Sequence, residues 1–359
     1  MDIINNSLPH SWQWQIKNSI KSIDELLKHL PLSEAEQRLL KDSALPSLPF
    51  SVTPYFVSLM EPRLSCPIFS QVVVSPLEHE LDPVELRDPL GEEEREKVPN
   101  LIHRYPDRVL FLATDRCASY CRFCTRKRLV GQGPAPTRDE QEEAFNYIKK
   151  HESIKEIIFS GGDPLMLSNE RLASLLERAF LIEHIVNVRI HTRMLSFAPM
   201  RIDSELLGIF KRHSPLYMVT HFNHARELTA LTEEVLNALV DHGVVMLNQS
   251  VLLKGINDDA KILSDLFRRL VKNRCRPYYL HSCDIVTGAK HFRVQIKRAI
   301  SLMEELRGHI SGLLMPTLVV DIPGGHGKVP LWPNPIMRED EKYIYLKGFS
   351  NGVAAYPKY

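Results

Sequence analysis

From Arg108 onward, short runs rich in β-branched and aromatic residues alternate with stretches whose apolar residues recur at helical spacing. RVLFLATD, KEIIFSGGD, VNVRIHTR, LYMVTHFN, VVMLNQSVLL, RPYYLHSCD and GLLMPTLVVD read as strands, with RDEQEEAFNYIKKHE, NERLASLLERAF, ELTALTEEVLNALVDHG and DDAKILSDLFRRLVKN as helices between them. A strand followed by a helix returns to the sheet in parallel orientation, so repeated βα units predict an α/β fold with a parallel sheet and helices outside it. Seven candidate strands favour a partial or closed parallel (βα) barrel over an open doubly wound sheet. Polar residues gather where the strands end, in SGGD, HTR, THFNH, NQS, HSCD and VVDIPGGHGK. In a barrel these ends converge on one face, the usual place for an active site.

Residues 1–107 have a different character. WQWQIKNSIKSIDELLKHL and LSEAEQRLLKDSA predict helices, and PLEHELDPVELRDPLGEEEREKVPN is an acidic, proline-punctuated linker. We therefore expect an N-terminal helical appendage over 1–107, a barrel over 108–330 and a short C-terminal extension over 331–359. With 45 basic and 44 acidic residues, the chain has no global field to draw it to nucleic acid or an anionic membrane. MDIINNSLPHSWQWQ lacks a charged leader with an apolar core, and no apolar run approaches a membrane span. The expectation is a cytoplasmic protein acting on small molecules. Cys66, Cys275 and Cys283 are scattered, which argues against a disulfide framework.

The other cysteines form CxxxCxxC in the loop after the first barrel strand, at Cys117, Cys121 and Cys124. A structural zinc site needs four closed ligands, and no second CxxC pair is present. A catalytic zinc with a bound water and an electron-carrying iron–sulfur cluster are both compatible with three thiolates. On a cubane cluster, three thiolates leave one iron open to a small chelating ligand. SGGDPL, from Ser160, follows the second strand, where two glycines allow a close approach that a Cβ would exclude. PGGHGK resembles a phosphate loop but does not satisfy GxxxxGK[ST], because Val329 follows Lys328. A lysine on a glycine-rich loop suits a Schiff base with pyridoxal phosphate.

CxxxCxxC with Phe123 before the last cysteine resembles the radical S-adenosylmethionine superfamily. Together with HRYPDR, SGGDPL, THFNH, NQSVLLKGIND, RPYYLHSCD and VVDIPGGHGK in this order, the chain resembles the lysine 2,3-aminomutase family over nearly its whole length. The resemblance implies a barrel of the radical S-adenosylmethionine type and three cofactors: a 4Fe-4S cluster, S-adenosyl-L-methionine and pyridoxal 5'-phosphate. It implies that Cys117, Cys121 and Cys124 hold the cluster. Phe123, Ser160, Gly161, Gly162, Asp163, His221 and Gln249 would line S-adenosylmethionine, with Arg193 a weaker candidate. Lys328 would form the aldimine with pyridoxal phosphate, surrounded by Arg104, Tyr105 and Arg108. Arg126 would grip the substrate carboxylate, and Asp284 and Asp321 the side-chain ammonium of lysine.

The implied activity is an isomerase converting L-lysine to β-lysine, served by a reductant such as flavodoxin or ferredoxin. The alternatives are β-lysine synthesis dedicated to elongation factor P, and a 2,3-aminomutase for arginine or glutamate. An iron–sulfur electron-transfer or redox-sensing protein would explain the cysteines but leave Lys328 and the aspartates without a task. The chain departs from the longer family members in ending at NGVAAYPKY and in carrying Asp259 where they place a zinc cysteine. We therefore expect no zinc, and a homo-oligomer is left open. His326 stands where a glycine is common.

Overall fold

The computed structural model describes residues 11–41, 48–80, 82–133, 136–350 and 352–359. The first ten residues, which carry the leader-free reading, and Asp42–Ala44, the end of the second expected helical segment, lie outside the described residues.

One ten-stranded sheet runs in chain order through β1 (Glu96–Val98), β2 (Leu101–Tyr105), β3 (Arg108–Thr114), β4 (Glu156–Gly161), β5 (Asn187–His191), β6 (Leu216–Thr220), β7 (Val244–Leu252), β8 (Arg276–Ser282), β9 (Thr317–Ile322) and β10 (Gly327–Pro330). Strands β3 to β9 are the seven read from the sequence, and each pairs in parallel with the next. Antiparallel strands extend both ends, β1 and β2 before β3 and β10 after β9. The ladder ends at β1 and β10 rather than closing. Of the two expected forms, the fold is the partial barrel.

The appendage contains α1 (Trp12–Lys17), α2 (Ile23–His29), α3 (Glu34–Lys41) and α4 (Pro54–Val57). The helices after it are α5 (Arg138–Lys150), α6 (Asn169–Phe180), α7 (Met194–Phe197), α8 (Ser204–Arg212), α9 (Ala230–Asp241), α10 (Ala260–Lys272) and α11 (Ile296–Leu306). Their starts are written locally. Thr137 and Glu140 form a capping box at α5. Asp259 accepts hydrogen bonds from the Lys261 and Ile262 backbone N–H groups at 2.8 and 3.1 Å, so here that position is an N-cap. Behind this cap, Leu263, Leu266, Phe267 and Leu270 bury one stripe of α10 against the sheet. No described helix is long and apolar enough to cross a membrane.

One segment differs from the sequence reading, and for another the structure adds what the reading left open. Residues 96–105, read as linker, form β1 and β2, and the expected boundary at 107/108 falls in the Pro106–Asp107 turn of the β2–β3 hairpin. The alternation that marks a half-buried strand is missing from LIHRY, because Arg104 and Tyr105 face an interior cavity rather than solvent, while His103 reaches the Tyr147 hydroxyl on α5. The C-terminal extension is an antiparallel sheet of β11 (Ile336–Glu339), β12 (Tyr343–Lys347) and β13 (Val353–Pro357).

Three contacts set the shape of the barrel's working end. The two ends of the sheet meet through side chains: the Lys328 backbone N–H on β10 donates to the Tyr105 hydroxyl on β2 at 2.9 Å, and Arg104 Nη2 lies 3.2 Å from Asp321 Oδ1 on β9. Arg122, fully buried within the cysteine loop, donates to Glu78 at 2.9 and 2.6 Å and to the Leu48 and Pro49 carbonyls, tying the loop to the appendage. Gly161 and Gly162 press the end of β4 against the same loop. A Cβ on Gly161 would stand 2.3 Å from the Thr114 carbonyl oxygen, and one on Gly162 would stand 2.3 Å from that of Arg116. The close approach that these glycines permit is thus between two segments of the chain, rather than only towards a ligand.

The neighbours are backbone atoms that cannot swing aside, so Gly162→Ala should lower the unfolding free energy by about 1–3 kcal/mol. Gly133→Ala, where an added Cβ meets nothing within 4 Å, should leave it unchanged in the same denaturant titration.

Candidate active site

The inward side chains of the partial barrel surround a cavity of about 620 Å³, and every site residue expected from the sequence lines it. His326 does not, being exposed on the outer side of its turn.

The loop after β3 brings Cys117, Cys121 and Cys124 to the cavity wall. Burial pushes the Cys117 thiol well above its ordinary value and that of Cys124 up to about 11, and the neighbouring thiols add to both shifts. Crowded thiols of which two, Cys117 and Cys124, resist ionisation suit a cationic group that would draw off their protons. Among the described residues, no three Cys, His, Asp or Glu side chains gather closely enough to share one metal ion. Thiolates that each hold a different iron of a cluster stand farther apart than the ligands of one ion.

Charge also reaches the loop from outside it. Arg193 Nη1 lies 2.8 Å from Cys121 Sγ. Asp163 holds that arginine by accepting from its backbone N–H at 2.8 Å, and also accepts from the Thr192 hydroxyl at 2.7 and 2.9 Å and from the Leu165 N–H at 3.0 Å. Its carboxylate is therefore engaged by the protein. Phe123 is buried with its ring 5.7 Å from that of His221. Burial, reinforced by Arg193, keeps His221 neutral, and its Nε2 lies 3.1 Å from Asn223 Oδ1. Gln249 on β7 lines the same wall.

Lys328 is the second residue of β10, directly opposite Asp321 on β9. The preceding Gly324, Gly325 and Gly327 all adopt positive φ, so the glycine-rich segment is a tight hairpin turn that aims the lysine inward. Lys328 Nζ lies 3.2 Å from Asp321 Oδ2, and His281 Nδ1 lies 3.7 Å from the same oxygen. Burial opposes ionisation of Asp321, but its cationic and imidazole neighbours outweigh that and hold the carboxyl well below the usual carboxylate range. Asp284 is the opposite case. Burial, together with the charge of Asp321, raises it to about 7. Arg108 stacks on the Tyr105 ring, with its guanidinium carbon 3.8 Å from the centroid.

Arg126 is held by a partner that sequence reasoning did not single out. Glu92 accepts from its Nε at 3.1 and 3.0 Å and from its Nη2 at 2.7 Å, while Arg126 Nη1 donates to Ser160 Oγ at 3.2 Å. Within GEEEREK nothing marks one glutamate from the next. The inward face of β5 was also missed, although the alternation in NVRIH contained it: Asn187, Arg189 and His191 all line the cavity. Asn187 Oδ1, Arg189 Nε, His191 Nε2 and His281 Nε2 are buried polar atoms without a protein partner. Unsatisfied groups beside a lysine amine and the Arg104 and Arg108 guanidinium groups fit a phosphate-bearing, hydrogen-bonding cofactor of the pyridoxal type.

Comparison with known proteins agrees with this geometry. Residues 111–267 match the radical SAM superfamily, and residues 303–359 match a family described as lysine-2,3-aminomutase. The L-lysine 2,3-aminomutase of Clostridium subterminale is 39% identical over 97% of this chain and 84% of its own length. That of Bacillus subtilis (strain 168) is 39% identical over 97% of this chain and 74% of its own. The glutamate 2,3-aminomutase of Clostridioides difficile (strain 630) is 35% identical over 96% and 82%. Similarity of this extent, carried on three thiols and an inward lysine in one cavity, places the chain in the lysine 2,3-aminomutase family of radical S-adenosylmethionine enzymes, and it is an isomerase of that family.

Proposed function

We propose that this enzyme converts L-lysine to β-lysine by moving the amino group from C2 to C3. Cys117, Cys121 and Cys124 would hold a 4Fe-4S cluster that binds S-adenosylmethionine, and Lys328 would carry pyridoxal phosphate. The observation that carries the reading is the charge pattern of the cavity, in which Arg126 stands beside the thiols while two carboxylates, Asp284 and Asp321, share the wall with Lys328. When bound, the cluster and S-adenosylmethionine supply the one-electron chemistry that removes hydrogen from an unactivated carbon, and pyridoxal phosphate supplies an electron-delocalising group for the substrate amine.

The chain's own work is positioning. Arg126 offers N–H groups to the substrate carboxylate, and Asp284 and Asp321 attract the side-chain ammonium. The Tyr105 hydroxyl fixes the backbone at Lys328, and the tight turn before it sets the height of the amine in the cavity. Arg104 and Arg108 provide the positive charge that a phosphate dianion requires. A glutamate substrate would bring its side-chain carboxylate up to two acidic groups, a like-charge contact that disfavours it. An external one-electron donor such as flavodoxin or ferredoxin would serve the cluster.

Anaerobic turnover with S-adenosylmethionine, reductant and pyridoxal phosphate should yield β-lysine from lysine, with glutamate and arginine turned over far more slowly. Product analysis showing no change in lysine would sink the reading. Lys328→Ala should keep the cluster absorbance and lose that of bound pyridoxal phosphate. Asp321→Asn should raise KM for lysine about tenfold, a loss of about 1.4 kcal/mol, and an equal loss for all amino acids would count against its role. Asp284 must ionise to hold an ammonium. With its value near 7, the KM for lysine should therefore fall as pH rises from about 6 to about 8. Asp284→Asn should flatten that profile.

A further inference from the structure

Arg126 is the only residue to which the reading above assigns the substrate carboxylate, and its guanidinium could face several partners. Cys117 and Cys124 lie close enough to bias its charge, as does Glu92. What decides its orientation is the way its five N–H groups are divided. Glu92 takes the edge formed by Nε and Nη2, and Ser160 takes one N–H of Nη1. Two N–H groups are left, one on each terminal nitrogen, and a fork of this kind matches a second carboxylate.

Glu92 is itself held firmly. Its side chain is only 5% exposed, and Oε2 also accepts from Arg128 Nη2 at 3.3 Å. Arg128, 2% exposed, further pairs with Asp88 and Glu93 on either side, at 3.3 and 2.9 Å. The segment also meets β2 and the lysine turn: Arg104 Nη1 on β2 donates to the Leu90 carbonyl at 3.4 Å, and a Cβ on Gly91 would stand 3.0 Å from Gly324 in the turn. Burial opposes ionisation of Glu92, but Arg126 and Arg128 hold its carboxyl below the ordinary value, so it stays an acceptor-only anion.

We propose that Glu92 is a positioning residue for amino-acid binding, clamping the Nε–Nη2 edge of Arg126 so that the remaining N–H fork faces the substrate carboxylate. The inference rests on the aminomutase reading for the identity of the ligand. Without Glu92, the guanidinium is free to turn towards the thiolates, and one buried positive charge near the cluster loses its partner.

The test uses holoenzyme loaded with cluster and pyridoxal phosphate, kept anaerobic and without S-adenosylmethionine or reductant so that nothing turns over. L-lysine and L-lysinamide are titrated, and binding is read from the change in pyridoxal absorbance. Glu92→Gln should weaken lysine about tenfold and leave lysinamide unchanged, since the amide lacks the carboxylate. Glu92→Asp should recover part of the loss, and cluster and pyridoxal content should match the wild type in both variants. Equal weakening of both ligands, unchanged lysine binding, or tighter lysine binding, which would make Glu92 a competitor, each overturns the proposal. A wild-type protein that responds to arginine or glutamate but not to lysine refutes the substrate reading, and the same carboxylate-against-amide comparison on that amino acid then decides the role of Glu92. A wild type blind to all three overturns both.

Discussion

An open sheet of ten strands holds a site together only if its ends are brought into contact, and here the contact is made by Tyr105, Arg104, Asp321 and Lys328. Backbone pairing stops at β1 and β10. The Tyr105 hydroxyl accepts from the Lys328 N–H, and Arg104 reaches Asp321, so the seam of the barrel coincides with the position of the lysine. The closure is side-chain chemistry. The same side chains provide positive charge, an amine and a carboxylate at one place, so the contact that shapes the barrel also equips its cavity.

A second constraint is charge balance in a confined volume. Arg126 with Glu92, Arg193 with Glu227 and Cys121, Arg122 with Glu78, and Lys328 with Asp321 are all pairs in which at least one member is largely buried. An unpaired charge in such surroundings is costly, and removing one partner leaves the other uncompensated. Asp284 is the exception on the wall, its shift to about 7 reflecting burial and the neighbouring Asp321. A substrate bearing an ammonium would supply the missing positive charge, which ties the electrostatics of the resting cavity to the class of ligand proposed for it.

Much of the site was legible because chemistry and spacing coincide in the chain. Cys117, Cys121 and Cys124 lie within eight residues, and Lys328 follows glycines whose positive φ angles are a local property of the turn. Other assignments needed three dimensions. Glu92 is one of three consecutive glutamates, and only its reach across to Arg126 distinguishes it. Asp259, read against a family position, is a helix cap in this chain. Gly161 and Gly162 were noticed for the approach they allow, but the atoms approaching are the Thr114 and Arg116 carbonyls. The strand Leu101–Tyr105 was hidden because Arg104 and Tyr105 face a cavity that exists only once β9 and β10 are in place.

By itself the sequence determined the parallel order of β3 to β9, since hydrophobic periodicity and the hand of βα connections are local consequences of side-chain spacing and backbone chirality. It also determined which reactive groups would stand at the strand ends. Tertiary structure alone decided that the barrel stays open, that its ends meet at Lys328, and which carboxylate answers each buried cation. Those outcomes depend on distances between segments up to 223 residues apart, as for Tyr105 and Lys328, and no local pattern encodes such distances.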